Sequence, residues 1–483
     1  MHSRTRVLSL GTFAALALYF LIWSVWRAQF PVEIWFSESR NAFHQDAAAA
    51  GLPLYPSADQ LIVNNYPPLS FFIVGALGRL FGDSLFVGRA LSIIGLLTLA
   101  VEIALVVRIL AGSLPAGAVG GLWFVAIMAH NATSYLGANN LQIVGQANMA
   151  AGFVWFLERE RSGLSPVPAL LVIVLAGFWK HNIIGISATA VLWLLLRDWR
   201  TGARPALISA LAAGGGLFAC GVIFGAAFYT NLLTSQAYSV GHLVSQIGSL
   251  QWLAVAAIFW GIWVWFSRGS YASRLTALHS AIGLLSCLMQ WLGDGVFGNA
   301  AFDLTIALSV GVGCAYAQIR MSPIATLLGA NSTRVLPVVL LALRLAASPW
   351  KPPHPNGSAA TTGGAAGTPP ERRYSRVQFL GCPTTGRYCS VINTFVYRRM
   401  DARSHWTYPP QTASSAPNRS DFGFQQGRGR RWPHSYRSLG TVGTHAYPSV
   451  ESLWIALGCA CATPRFLVQL VPGGGGIDDR RPV

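Results

Sequence analysis

The sequence predicts an all-α polytopic membrane protein of about 11 transmembrane helices, followed by a disordered C-terminal tail. Three observations carry this. First, apolar runs such as 7–26 (VLSLGTFAALALYFLIWSVW), 85–107 and 205–229 match the roughly 20 residues that one hydrocarbon core requires. Backbone groups in lipid must bond internally, so these runs are helices. Second, only 11% of the residues are charged, where a soluble domain carries about 25%. Third, the basic residues gather at alternate ends of the runs, which is the footprint of topology.

Each element follows from the positive-inside rule. Arg4 and Arg6 place the N-terminus in the cytoplasm, and the first span exits near Gln29. The run continues through Trp23 and Trp26 to Arg27, longer than a signal-peptide core, so it reads as an uncleaved helix. Residues 28–68 read as a polar outer loop. The stretch 69–81 is short for a span and reads as a helix lying at the interface. Spans 85–107, 116–131 and 141–157 then bring the chain to Glu158-Arg159-Glu160-Arg161. The next apolar stretch, 166–196, is basic at both ends, with Arg159 and Arg161 before it and Arg197, Arg200 and Arg204 after it. One span cannot keep both ends inside. Two short helices, 166–178 and 183–196, can, with Trp179-Lys180-His181-Asn182 at their outer turn. Spans at 205–229, 250–267, 274–292, 300–318 and 335–348 complete the body. The segments 33–68, 131–146, 179–182, 230–249 and 293–299 all fall on the outer side.

The formal charge of +17 does not point to nucleic acid. Residues 349–483 hold 16 Lys+Arg against 6 acids, and the rest of the excess lies in short loops rather than on one face. Cys220, Cys287 and Cys314 sit in apolar runs as small hydrophobes. Cys382, Cys389, Cys459 and Cys461 have no zinc spacing.

Chemistry-bearing residues concentrate in the outer segments. Glu38 follows the first span closely, where a carboxylate can act as general base toward a hydroxyl acceptor or stay a solvated loop charge. His44 lies in the same loop. Asn65 and Tyr66 precede Pro67-Pro68, which starts the next helix, since Pro is tolerated in a first turn. Asn139, Asn140 and Gln142 offer side-chain amides for sugar hydroxyls or a phosphate, or a cap for the following helix. Lys180 and His181 sit at the hairpin tip. A lysine at membrane depth needs a partner, and a phosphate suits it, with snorkelling as the plain alternative. Asp294 and Asp303 flank the start of the 300–318 span, and Asp303 needs a partner inside its apolar run. His44, His130, His181 and His242 share the outer side without metal-ligand spacing. Gly214-Gly215-Gly216 reads as close helix packing.

Glu38, the Asn-Tyr-Pro-Pro-Leu-Ser of 65–70, the Asn139-Asn140-Leu141-Gln142 segment and Lys180-His181-Asn182 occur in an order that resembles the GT-C-type bacterial membrane glycosyltransferases. Within that class it looks like the protein-mannosyltransferase and aminoarabinose-transferase relatives, which include the rhizobial lipopolysaccharide sugar transferases. The resemblance covers roughly residues 8–348. It implies an inverting transferase of the bacterial inner membrane. Such an enzyme takes a sugar from a polyprenyl-phosphate donor to a lipid or glycan acceptor on the periplasmic side. Glu38 would then be the base, and His44, Asn65, Tyr66, Asn139, Asn140, Gln142, Lys180, His181 and Asp294 would contact substrate. No cofactor is called for, and a divalent cation stays open. The sequence departs from the pattern at Ser37-Glu38, where the group carries an acidic pair, and at Asn139-Asn140, where it carries an acidic residue. A catalytically degenerate relative, or a transporter or flippase of lipid-linked or small polar substrates, are the alternatives.

Residues 1–348 thus form a GT-C-like transmembrane domain. Residues 349–483 form a low-complexity basic tail, either disordered or translated out of frame. Within it, 352–370 reads as a flexible linker.

Overall fold

The computed structural model describes residues 2–35, 37–56, 63–234, 237–293, 295–318, 332–347 and 350, together with four short tail segments. The helical body runs α1 (His2–Arg27), α2 (Glu38–Ala49), α3 (Leu69–Phe81), α4 (Ser84–Ala111), α5 (Leu114–Asn131) and α6 (Leu141–Arg161). It continues with α7 (Val167–Gly177), α8 (Gly185–Arg197), α9 (Trp199–Phe224), α10 (Ala226–Leu232), α11 (Val240–Ile247), α12 (Ala254–Ser267) and α13 (Tyr271–Trp291). The 3-10 turn Gly298–Ala301 leads into α14 (Phe302–Gln318), and α15 (Ser332–Ala347) follows.

Seven helical stretches are long and apolar enough to cross a membrane: Arg4–Arg27, Ser84–Ala111, Leu114–Asn131, Trp199–Phe224, Val240–Ser267, Tyr271–Trp291 and Gly298–Gln318. The protein is a multi-pass membrane protein. Leu69–Phe81, Val167–Gly177, Gly185–Arg197 and Val335–Ala347 are shorter apolar helices. Helix α6 has 21 residues but carries Gln142, Gln146 and four charges in its last turn, which lowers its apolar character.

Local chemistry sets the helix ends. Asp83 accepts from the amides of Leu85 and Phe86 to start α4, and Asn140 accepts from Gln142 N at 2.9 Å to start α6. Gly112, at φ 68°, ends α4 in the left-handed conformation that a Cβ disfavours. The core is α14, whose residues from Phe302 to Tyr316 are all buried among α4, α5, α12 and α13. Helix α9 instead leaves Leu207, Leu211, Phe218, Val222 and Ile223 uncovered, as a lipid-facing helix does.

Three expectations are corrected. Residues 28–68 are not simply a loop, because they contain α2. Its sequence, ESRNAFHQDAAA, lacks an apolar stripe, and its buried face is Glu38, Ser39, Asn41, His44 and Gln45 together with alanines. Polar contacts, not hydrophobic periodicity, dock it. The 205–229 run is broken at Gly225, where α9 gives way to α10. Part of 230–249, read as an outer segment, is helix α11, and the apolar stretch expected at 250–267 begins at Val240.

In the tail, β1 (Arg376–Gly381), β2 (Ser390–Phe395), β3 (Trp454–Leu457) and β4 (Phe466–Val471) pair antiparallel in the order β2-β1-β4-β3. Apart from Trp350, the remaining tail residues expected to be disordered lie outside the described residues.

Candidate active site

The segments expected on the outer side do share one end of the bundle. Arg27 Nη2 donates to the Thr133 carbonyl. Asn64 N donates to Asn231 Oδ1 at 3.1 Å, Asn182 Nδ2 to Gln290 Oε1 at 3.2 Å, and His242 Nε2 lies 2.9 Å from the Val296 carbonyl. The basic loops meet at the other end. There Glu160 pairs with Arg197 and accepts from Tyr271 Oη at 2.7 Å, while Arg161 reaches the Ile109 carbonyl.

Two polar clusters occupy the outer end. The first centres on Glu38 and Arg89, each 1% exposed. Glu38 Oε1 accepts from Arg89 Nε at 2.7 Å and from Asn139 N at 2.7 Å. Glu38 Oε2 accepts from Arg89 Nη2 at 2.7 Å and from Ile34 N at 2.8 Å. A carboxylate has about four acceptor positions, and all are used. Arg89 spends its remaining donors on the carbonyls of Ala28, Phe30 and Val32. Around this pair, Asn139 exchanges two side-chain bonds with Gln45, at 2.7 and 3.0 Å, and its carbonyl accepts from Asn41 Nδ2 at 2.8 Å. The cluster ties the first outer loop, α2, α4 and the turn before α6 into one body.

The second cluster centres on Lys180, which is 4% exposed. Its ammonium donates to Gln142 Oε1 at 2.8 Å and stands 5.1 Å from the centre of the Tyr66 ring. The Arg40 guanidinium approaches the same ring at 5.7 Å. Gln142 Oε1 also accepts from Asn299 Nδ2 at 2.8 Å, and Gln142 Nε2 donates to the Asn299 carbonyl at 2.8 Å. Tyr135 Oη completes the group by donating to Asn299 Oδ1 at 3.1 Å. His181 is exposed, with its ring tilted 6.2 Å from that of Tyr66. Burial pulls the Lys180 ammonium below its usual pKa, and that ammonium in turn draws the Tyr66 phenol down. Neither Lys180 nor Arg40 makes an ion pair among the described residues, whose two are Glu38–Arg89 and Glu160–Arg197.

The structure therefore brings together Tyr66, Gln142, Lys180 and His181. It places Glu38 and Asn139 in the neighbouring knot and gives Asn140 the capping role. His44 packs on Phe71 at 5.5 Å with Nε2 lacking a partner, and burial pulls its imidazole down to about 3. The Asn65 Oδ1 is buried without a hydrogen bond. Asp294 lies outside the described residues. Burial pushes the Glu33 carboxyl up to about 8, against the opposing bond from Ser39 N at 3.4 Å. Among the described residues no group of three or more His, Cys, Asp and Glu side chains is placed to hold a metal ion.

Sequence reasoning missed Arg89, Arg40, Gln146 and Asn299. A signal existed for Arg89, a lone cation inside an apolar run, which needs a partner in lipid. Another existed for Lys180, because the chain has two lysines, Lys180 and Lys351, against many arginines.

No protein-family model matches the chain. No curated protein matches it either. Among solved structures, it is similar to ArnT from Cupriavidus metallidurans bound to undecaprenyl phosphate, at 16% identity over 70% of this chain and 71% of that one, with a TM-score of 0.45. It is similar to the same protein in the apo state at 15% identity, over 69% and 74% of the two chains, with a TM-score of 0.48.

Proposed function

We propose that the chain is a bacterial inner-membrane glycosyltransferase that binds a polyprenyl-phosphate-linked sugar at the Lys180 end of the bundle. One observation carries the reading. Lys180 and Arg40 both approach the Tyr66 ring, with no carboxylate ion-paired to either among the described residues. A buried cation without a counter-charge is costly, and a phosphate arriving from the lipid interface removes that cost. Neighbouring amides of Gln142 and Asn299 offer bonds to sugar hydroxyls. The order of motifs noted in the sequence supports the same class.

In such a transfer the acceptor hydroxyl oxygen attacks the anomeric carbon, the bond from that carbon to the phosphate oxygen breaks, and the hydroxyl proton passes to the departing phosphate. Negative charge grows on the departing polyprenyl phosphate, where Lys180 and Arg40 stabilise it. The basic loops at the opposite end support a periplasmic assignment for this site, by the positive-inside rule. Glu38 serves in this reading as a positioning residue. With every acceptor position occupied, it holds α2, and so Arg40, in place.

The saturation of Glu38 favours a second reading, a relative that holds the lipid phosphate without transferring the sugar. Membranes carrying the full chain and a radiolabelled polyprenyl-phosphate sugar separate the two. Transfer that disappears in Lys180→Ala supports the enzyme. Photo-crosslinking to the lipid phosphate that depends on Lys180, with no transferred product, supports the second reading. Neither binding nor transfer by the wild type ends both.

A further inference from the structure

Helix α6 places Gln142 and Gln146 one turn apart on one face. The 3-10 turn and α14 place Asn299 and Asp303 at the same spacing opposite them. The result is two polar rungs between these elements. In the first, Gln142 and Asn299 exchange two bonds of 2.8 Å. In the second, Gln146 Nε2 donates to Asp303 Oδ1 at 2.8 Å. Each rung grips one end of the 180–185 turn. Lys180 Nζ bonds the first rung at Gln142 Oε1, and Gly185 N bonds the second at Asp303 Oδ2, 2.9 Å away.

The second grip replaces a missing local one. Helix α8 begins after Ile184, whose side chain cannot cap it. The orphaned amide of Gly185 is met by a carboxylate from another helix, which also suits the positive end of the α8 dipole. Contact is close enough to fix the residue type: a Cβ on Gly185 would lie 2.8 Å from Cβ, Cγ and Oδ2 of Asp303. The ladder thus sets where α8 starts, and with it the register of the turn that carries Lys180.

From this geometry we infer that Asp303, Gln146 and Gly185 are positioning residues for Lys180, acting through the start of α8. The functional meaning of the inference rests on Lys180 being the phosphate ligand proposed above. Its geometry does not, so the test reads Lys180 directly.

The full chain in detergent is labelled with an amine-reactive ester, and modification is quantified by mass spectrometry. Lys351, the other lysine, serves as internal reference. Asp303→Leu and Gly185→Ala are expected to raise Lys180 labelling by about fivefold or more, because the turn opens locally. Asp303→Asn keeps an acceptor for Gly185 N and a partner for the Gln146 amide, and it is expected to stay within about twofold of wild type. Unchanged Lys180 labelling in folded Gly185→Ala overturns the inference. So does an Asp303→Asn effect as large as that of Asp303→Leu, since it would show charge rather than position at work. Should Asp303→Leu fail to fold, Gly185→Ala decides alone. Loss of polyprenyl-phosphate binding by the wild type would remove the proposed function while leaving this result standing.

Discussion

The Glu38–Arg89 knot and the Lys180–Tyr66 cluster lie at the same end of the bundle and share the turn before α6. They differ in closure. In the knot, a cation and an anion satisfy each other, and the spare donors and acceptors go to backbone groups. In the Lys180 cluster, two cations face one aromatic ring, and their protein partners are neutral. A closed network fixes structure, and the open one is where the proposed lipid phosphate would bind. The difference predicts that the two clusters respond oppositely to mutation.

Arg89→Ala is the strongest way to break the comparison. It strands a buried Glu38 carboxylate and removes three backbone links at once. Breaking one partner of a buried pair costs about 3–5 kcal/mol. A large fall in thermal stability in detergent is expected, together with lower amounts of protein in the membrane. A stable Arg89→Ala protein that had lost only ligand binding would show that the knot belongs to the site instead.

Lys180→Ala should do the reverse. It deletes a buried charge that lacks an ionic partner, so stability should stay within about 1 kcal/mol of wild type. Binding of polyprenyl phosphate should weaken at least about tenfold, or 1.4 kcal/mol. Titration of the lipid phosphate against both proteins checks this, and equal affinities would remove Lys180 from the site.

How much of this was legible follows from what each residue needs. The hairpin of α7 and α8 was legible because charge at both ends of 166–196 forbids a single span, a constraint independent of propensity. Lys180 was legible for the same kind of reason, since a lysine at that depth needs a partner. Helix α2 was not, because its buried face is polar and leaves no periodic signal. Nor were Asn299 and Gln146, whose amides carry no charge and find their partners 157 residues away in each case. The Glu38 carboxylate illustrates the limit most plainly. Its position after the first span suggested chemistry, but its occupancy depends on Arg89, 51 residues on, inside a run that reads as apolar.

Acid sharpens the contrast on the closed side. His44 lies on α2 beside the knot, buried and neutral, with its pKa lowered to about 3 from 6.5. The folded value is below the unfolded one, so the unfolded chain binds more protons between them. Stability that is present above pH 6.5 is therefore lost as pH falls toward 3, at up to about 1.4 kcal/mol per pH unit. Glu33 has the opposite sign. Its raised value of about 8 gives stability that is full below 4.5 and lost as pH rises through 8. Thermal unfolding from pH 7 down to 5 should show a steeper acid loss in the wild type than in His44→Leu. Parallel curves would mean that His44 is hydrated and that α2 is not docked dry.

Arg40 gives the smallest and most discriminating effect, because it links the two clusters. It sits on α2, which the knot holds, but its guanidinium reaches the Tyr66 ring of the open cluster. It is half-buried, so solvent screens it more than Lys180, and its electrostatic worth to a bound phosphate is nearer 1 kcal/mol. Arg40→Ala should weaken lipid-phosphate binding by about threefold to fivefold, with unfolding unchanged. Arg40→Lys should recover part of the loss, since a point charge still serves a phosphate while the planar stack on Tyr66 is lost. The affinity should also become less sensitive to salt in Arg40→Ala, because one of its two cations is gone. If Arg40→Ala instead lowers stability as Arg89→Ala does, the two clusters form one network, and the division between a closed and an open region fails.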